Sequence, residues 1–355
     1  MTDWLRRPDF SQSQAARERW LAPELAALTR HHLTHCPEYG RWVRAMFGPA
    51  GDWPRLEDLP WLPVGVFKTH SPISVPETDI VAAVTSSGTG GQPSRVRLDR
   101  ATADAQVRAL AGIMARLTGG ARLPLLILDS EAVLAQGSAY SARAAGILGM
   151  MRLGRDAVFA LDGEMALRTE AVTAFLRRWG EGPMLVFGFT YMVWAHALPA
   201  LVAAGLRLSA AALLVHGGGW KALADQAVDN ATFKRRLAEE IGVRRVHSYY
   251  GMAEQVGGIC LEGEDGFLHP PPFVDILIRD PLTLAPLPPG RPGLIQIMSL
   301  LPRSYPGHSL LTEDMGMIET IDTGVWGGKA FSVLGRLKQA ELRGCSDTFA
   351  ARGPA

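Results

Sequence analysis

Six short apolar runs punctuate the middle of this 355-residue chain: IVAAV (80–84), LPLLILD (123–129), AVFAL (157–161), MLVFGF (184–189), AALLV (211–215) and VRRVHSYY (243–250). Helical periodicity fills most of the gaps. From Arg100 to Leu117, Val107, Leu110, Met114 and Leu117 fall on one face at spacings of three, four and three. Strands that alternate with amphipathic helices predict an α/β fold, a mainly parallel sheet covered on both faces.

The ends read differently. Residues 1–75 predict helices followed by a proline-rich connection from Trp53 to Pro76, because Pro54, Pro60, Pro63, Pro72 and Pro76 resist helix interiors and central strands. After Gly266, DILIRD, GLIQIMSL and FSVLGR are strand-like and are separated by turns such as PLPPGRPG. With no clear helix between them, they predict an antiparallel or barrel-like subdomain. The expected organisation is a helical region and connection at 1–75, an α/β core at 76–265, a β-rich subdomain at 266–336 and a short tail at 337–355.

Charge excludes some functions. The 36 basic and 35 acidic residues cancel to +1, so no global field draws the chain to nucleic acid or to an acidic membrane. The start, MTDWLRRPDF, lacks the apolar stretch of a signal peptide. The most lipid-like segment, Ala195 to Val215, is interrupted by His196, Pro199 and Arg207; it predicts helix, turn and buried strand rather than a membrane span. Cys36, Cys260 and Cys345 form no CxxC pair, so neither a disulfide framework nor a thiolate zinc site is indicated. The expectation is a cytoplasmic protein with no nucleic-acid partner and no stable membrane insertion.

Three glycine-rich clusters are the candidate site. VTSSGTGGQPSRV (84–96) follows an apolar run and precedes the helix predicted from Arg100, a position where backbone N–H groups hold anions. It has no Gly-Lys pair, and GTGGQP has Pro93 where the fingerprint's third glycine would stand, so it matches neither the nucleotide P-loop nor the dinucleotide fingerprint. Alone, such a loop is more often just a flexible connection. HGGGW (216–220) matches the oxyanion-hole strand of some esterases, but the required G-x-S-x-G elbow is missing: Gly307-His308-Ser309 has Leu311 at its fifth position. A hydrolase is therefore rejected, and the glycines are read as letting the backbone approach a flat ligand. SYYGMAEQVGG (248–258) sets Glu254 in a turn at a strand's carboxyl end, where open α/β sheets bind ligands.

Together these clusters resemble the adenylate-forming superfamily of acyl-CoA synthetases, luciferases and peptide-synthetase adenylation domains. VTSSGTGGQPS is similar to its TSGTTGxPK phosphate loop, SYYGMAE to YGxTE, LLTEDMG to TGD and GRLKQAELRG to the GRxDxQIKLRG hinge, in the same order over residues 84–344. More narrowly, FKTH, SSGTGG, HGGGWK, YYGMAEQVGG, SYPGHSLLTEDMG and ELRGCSDT resemble the LuxE-type acyl-protein synthetases over nearly the whole chain. The resemblance implies the superfamily's large domain, parallel sheets with flanking helices plus a smaller barrel-like subdomain, without the usual C-terminal domain. It implies ATP and Mg2+: Ser86, Ser87, Gly88 and Thr89 on the phosphates, Glu254 on magnesium, Tyr250 and Gly251 at the adenine–acyl junction, Gly218 and Gly219 flanking adenine, and Asp314 on the ribose with Arg336 nearby. Two departures stand out. The loop's lysine position is Ser94, with Arg95 following, and the C-terminal domain's lysine has no counterpart, which leaves Lys221 and Lys338 as weak candidates.

Cys345 stands where the hinge would lead onward, in the polar context RGCSD. By the resemblance it is the acylated residue, and its acyl group passes to an NADPH-dependent acyl reductase. A nearby cation such as Arg343 would favour its thiolate. His308 is a candidate general base for that thiol, or a substrate contact, or equally a structural loop histidine. Cys260 is read as core, and Cys36, among His31, His32 and His35, as a helix end rather than a metal ligand. Phe187, Phe189, Tyr191 and Trp194 either line an acyl pocket or simply pack. The leading expectation is activation of a carboxylic, fatty-type acid to acyl-AMP and transfer to Cys345. The competing ones are a ligase delivering to coenzyme A or a carrier protein, and a nucleotide-binding regulatory subunit of a reductase complex.

Overall fold

The computed structural model describes Leu5 and residues 9–86, 92–135, 140–220 and 227–337. Ser87, Gly88, Thr89, Lys221, Lys338, Arg343 and Cys345 lie outside the described residues. The chain opens with α1 (Gln14–His35) and α2 (Pro37–Phe47), hinged at buried Cys36, the helix end expected there. The proline-rich connection then holds β1 (Leu62–Pro63) and the single-turn helix α3 (Val66–Thr69). A small sheet of β2 (Ile80–Thr85), β3 (Arg95–Asp99) and β5 (Tyr140–Ser141) follows, with α4 (Arg100–Thr118) and β4 (Pro124–Ser130) between. Next come α5 (Ala142–Leu153), β6 (Arg155–Leu161), α6 (Thr169–Trp179), β7 (Leu185–Phe189), a helical stretch with a π turn at Val193–Ala197, β8 (Leu213–Gly217), α7 (Asn230–Ile241) and β9 (Arg245–Tyr250). Beyond β9 the described residues form only strands and short turns: β10 (Cys260–Glu262), β11 (Leu268–His269), β12 (Val274–Arg279), β13 (Gly293–Ser299), β14 (Ser309–Ile321) and β15 (Lys329–Arg336).

The five central apolar runs become β4, β6, β7, β8 and β9, paired parallel in the order β9-β8-β7-β4-β6. β4, β7 and β8 are buried at every position, as a sheet covered on both faces demands. Two packed clusters cover those faces. One holds Ile127, Leu185, Phe187 and Val215 under α4 and α5; the other holds Leu126, Val186, Leu214 and Phe233 under α6 and α7. The helix starts are capped locally, with Asp99 accepting from the Thr102 N–H (2.8 Å), Ser141 from Ala144 (3.1 Å) and Asp229 from Thr232 (2.7 Å).

Three expectations need correction. IVAAV does not join the parallel sheet: β2 pairs antiparallel with β3, Val84 opposite Val96 and Thr85 opposite Arg95. The glycine-rich loop is therefore a hairpin connection, and RVRLD intervenes before the helix because its buried Val96 and Leu98 alternate with more exposed neighbours. The antiparallel section begins at Cys260, not near residue 266, since β10 already pairs antiparallel with β9. Finally, the strands after β9 continue the large sheet: among the described residues one hydrogen-bonded path runs β12-β13-β14-β15-β11-β10-β9 and on into the parallel half.

The N-terminal helices dock on this antiparallel half. Arg17, 1% exposed, donates to Pro270 O (3.0 Å) and Gly327 O (2.8 Å), and the Gln14 side chain donates to Asp275 Oδ2 (2.7 Å). β1 pairs parallel with the start of β14, Leu62 opposite Leu310. Pro63 is tolerated there because the strand is a two-residue edge. Among the described residues no helix is long and apolar enough to cross a membrane.

Candidate active site

The carboxyl ends of β7, β8 and β9 point to one side of the sheet, and each carries residues picked out above. β8 ends at Gly217 and continues through Gly218 (φ 84°) and Gly219 (φ 63°), a left-handed pair that side chains resist. A methyl on Gly217 would come within 2.6 Å of the Tyr249 ring, and one on Gly218 within 2.7 Å of the Phe189 ring. The glycines thus let strand ends and aromatic rings close up tightly. Gly251 follows β9 and packs on Ile259 in the same way.

Tyr250, the last residue of β9, donates its hydroxyl to Asp314 Oδ2 at 2.8 Å. Arg336 on β15 lies opposite Asp314 in the ladder, its Nε 3.7 Å from Oδ1. Burial raises the Asp314 carboxyl, while the Tyr250 hydrogen bond and the Arg336 charge oppose that rise. Burial, with the Asp314 charge, pushes Tyr250 well above the ordinary phenol range, so it remains a donor. Next to Asp314, Glu313 bridges two cations, Lys68 of FKTH (3.2 Å) and Arg336 (3.3 Å). Sequence reasoning missed that Lys68 reaches this cluster; the motif was visible, its partner was not.

Glu254 sits in a short 3-10 turn (Ala253–Gln255) that packs against β3, the strand leading out of the glycine-rich hairpin. It is 8% exposed, yet its carboxylate makes no hydrogen bond or ion pair with another described residue. A largely buried glutamate whose carboxylate has no partner among the described residues suits a hard cation held by one carboxylate plus phosphate oxygens. Among the described residues no cluster of three or more His, Cys, Asp or Glu forms an all-protein metal site, and His31, His32 and His35 do not make one. Ser86 accepts the Ser94 N–H at 2.9 Å and closes the base of the hairpin loop. Ser94, at the usual lysine position, is buried, whereas Arg95 is exposed.

His308 does not face this cleft. It is fully buried, stacked on His32 with centroids 4.7 Å apart, and its Nε2 lies 2.9 Å from Thr29 Oγ1. Because Thr29 gives its own proton to Leu25 O, His308 Nε2 is the donor. Burial lowers the ring to about 3, and the general-base role is corrected to a structural one. Cys260 is fully buried and its thiol is pushed up by burial, the core residue expected. The four aromatics of VFGFTYMVW separate: Phe187 and Phe189 pack toward α5 and Tyr249, whereas Trp194 stacks on Phe233 in the cluster on the other face. They do not line one pocket. The sequence reading also passed over Asp129, fully buried at the end of β4 and held by Arg143 Nε (2.7 Å) and Nη2, with Arg143 over the Tyr191 ring.

Solved structures show this architecture elsewhere. An open conformation of 2-hydroxyisobutyryl-CoA ligase in complex with 2-HIB-AMP and CoA superposes with a TM-score of 0.68 at 20% identity, over 93% of this chain and 77% of that one. At that identity the likeness shows the shared fold, that of the adenylate-forming ligases. Among characterised relatives, the long-chain-fatty-acid–luciferin-component ligase of Vibrio harveyi is 29% identical over 136 residues, 38% of this chain and 35% of the relative. That of Aliivibrio fischeri is 28% identical over 140 residues, 39% and 37% of the two chains. The alignments thus span little more than a third of those relatives. The family model for acyl-protein synthetase, LuxE, by contrast, matches residues 6–352, and by that match the chain belongs to the LuxE acyl-protein synthetase family.

Proposed function

We propose that the chain activates a carboxylic acid of the fatty type with ATP and passes the acyl group to a protein thiol. The observation that carries this reading is the Tyr250–Asp314 hydrogen bond beside Arg336, which joins the SYYGMAE turn to the TEDMG strand. Asp314 accepts hydrogen bonds from the ribose hydroxyls, and Gly218 and Gly219 flank the adenine, with open space beside Gly219. Ser86, Ser87, Gly88 and Thr89 donate to the phosphates. Glu254 holds Mg2+, which when bound offsets phosphate charge. The acid's carboxylate oxygen attacks the α-phosphorus and pyrophosphate leaves, giving a mixed anhydride with AMP. The Cys345 thiolate then attacks the acyl carbonyl and AMP departs with the electron pair, leaving a thioester. A thiol of an NADPH-dependent acyl reductase takes the acyl group by exchange and returns Cys345 as the thiol. The fatty substrate is supported by the luciferin-component ligases named above, and ATP by the adenylate-forming fold.

The test is intact-mass and peptide-mapping analysis after incubation with ATP, Mg2+ and a panel of aliphatic and aryl acids, without coenzyme A. A hydroxylamine-labile adduct on Cys345 is expected, absent in Cys345→Ala while AMP release persists. AMP release with no adduct, and acyl-CoA formed undiminished by Cys345→Ala, would move the acceptor to coenzyme A. ATP binding without acid-dependent AMP release would sink the enzyme reading.

A further inference from the structure

SYPGH (304–308) precedes β14, and its histidine turned out to be buried rather than catalytic. The rest of that loop has an unusual set of partners. Tyr305, fully buried, accepts the Val256 N–H on its hydroxyl (3.3 Å). Gln255, 1% exposed, donates its side-chain amide to Gly307 O (3.0 Å) and Ile297 O (3.3 Å). Gly307 lies so close to the preceding residue of the turn that a methyl on it would come within 2.7 Å of the Glu254 carbonyl oxygen and would overlap the Tyr305 ring. Three contacts therefore converge on residues 254–256, all from one five-residue loop.

The same loop is pinned from its far side. The Ser304 hydroxyl donates to Arg97 O on β3 (3.0 Å), Ser304 N–H donates to Thr102 Oγ1 on α4 (3.3 Å), and Ser74 N–H donates to Ser304 O (2.8 Å). His308, two residues before β14's Leu310, is clamped by Thr29 and His32 of α1. One loop thus ties β3, the exit strand of the glycine-rich hairpin, to the turn that carries Glu254. The Glu254 side chain has no anchor of its own among the described residues, so its position is set by its backbone.

We propose that the 304–308 loop is the positioning element for Glu254. Gln255, Tyr305 and Gly307 fix the glutamate's backbone at a set distance from the hairpin, and so fix its carboxylate relative to the triphosphate that the hairpin is read to hold. The proposal rests on the reading of Glu254 as the magnesium carboxylate. These three are positioning residues, and outer-shell partners of metal ligands typically govern metal affinity by roughly 10- to 100-fold.

The experiment measures Mn2+ binding to the protein–ATP complex by electron paramagnetic resonance of the free ion, without turnover, alongside thermal unfolding. It uses full-length wild type, Tyr305→Phe, Gln255→Met and Gly307→Ala. Expected is a roughly tenfold or greater weakening of Mn2+ binding in Gln255→Met and Gly307→Ala. The apparent Mg2+ requirement of acid-dependent pyrophosphate exchange should rise in parallel. Tyr305→Phe, which loses one acceptor and keeps the ring, should lie between. Should Gly307→Ala fail to fold, the other two variants decide. Variants that bind Mn2+ like wild type would overturn the positioning role and leave the Glu254 reading standing. Wild type that forms no Mn2+–ATP complex, or Glu254→Gln that binds Mn2+ normally, would overturn that reading itself.

Discussion

Three buried histidines make this fold sensitive to mild acid. His308 and His216 are each lowered to about 3 by burial, and His32 is lowered well below its ordinary value for the same reason. The hydrogen bonds explain the resistance to protonation. His308 Nδ1 and His216 Nε2 are buried with no partner, so an added proton there would find no acceptor. The folded-state values lie below the unfolded value near 6.5, so the unfolded chain binds the extra protons; stability is whole above pH 6.5 and is lost as pH falls toward 3. Between pH 7.5 and 5.5 His308 and His216 each contribute about 1.4 kcal/mol of loss, hence about 3 kcal/mol for the two, and His32 adds to it in the same direction. Against a typical total of about 5–15 kcal/mol, that is a large fraction. Urea unfolding at pH 7.5, 6.5 and 5.5 measures it. The slope of stability against pH should reach about two protons or more at pH 5.5, two from His308 and His216 with His32 and His247 adding in the same direction. His308→Phe keeps a ring in the stack and should remove about one of them, while costing about 1 kcal/mol at pH 7.5 for the lost Thr29 bond. A slope of one proton or less, or an unchanged slope in the variant, would refute the reasoning.

Four further outcomes follow from named contacts. Asp314→Asn keeps an acceptor for Tyr250 but loses its charge, so the KM for ATP in pyrophosphate exchange should rise roughly 10- to 100-fold with the melting temperature little changed. Gly218→Ala forces a side chain to φ 84° against Phe189 and should cost about 1–3 kcal/mol in urea unfolding; Gly219→Ala, with open space around it, should cost less. Arg143→Met strands the fully buried Asp129 and should cost about 3–5 kcal/mol, part of which Asp129→Asn restores in the double variant. Arg17→Met leaves Pro270 O and Gly327 O without their buried donor and should destabilise by about 2–5 kcal/mol, read by the same titration.

What the residues disclosed, they disclosed through period and punctuation. LPLLILD, MLVFGF and AALLV are continuous apolar runs of strand length, and all three became fully buried parallel strands. The register of IVAAV was not legible in this way. Whether a run joins the large sheet or a small one depends on its partner, and β3 is only five residues of mixed pattern. β14 was hidden for the same reason: thirteen residues long, it reads as the motif LLTEDMG because its exposed half is polar. At the site, glycine and carboxylate positions stood out because few residues tolerate φ near 84° or burial without a partner. The support for them did not. Tyr305, Gln255 and Lys68 act over separations of 49, 52 and 245 residues, and no local pattern marks a contact across such distances.

The Tyr250–Asp314 bond also explains why a short, strand-only half follows the parallel one. In the order β9-β10-β11-β15-β14, four inter-strand steps separate the two residues. On a flat sheet, steps of about 4.8 Å would set them about 19 Å apart, beyond what a tyrosine and an aspartate side chain together span. Their oxygens are 2.8 Å apart, so the sheet must curl there. The two strands that intervene next to β9 are three and two residues long, β10 and β11, and such short strands impose little of the stiffness of a long ladder. Irregular pairing does the same at the far side, where the β14–β15 register shifts at Met315 and Gly316, just past Asp314. A methyl on Gly316 would come within 2.7 Å of Ser332 O, so the bend needs a residue without a side chain. The curl brings Asp314 of the antiparallel half to Tyr250 at the carboxyl end of β9, so both halves of the sheet contribute to the candidate site there. Neither half alone brings Tyr250 and Asp314 together, so this part of the candidate site exists only when both halves of the sheet are in place.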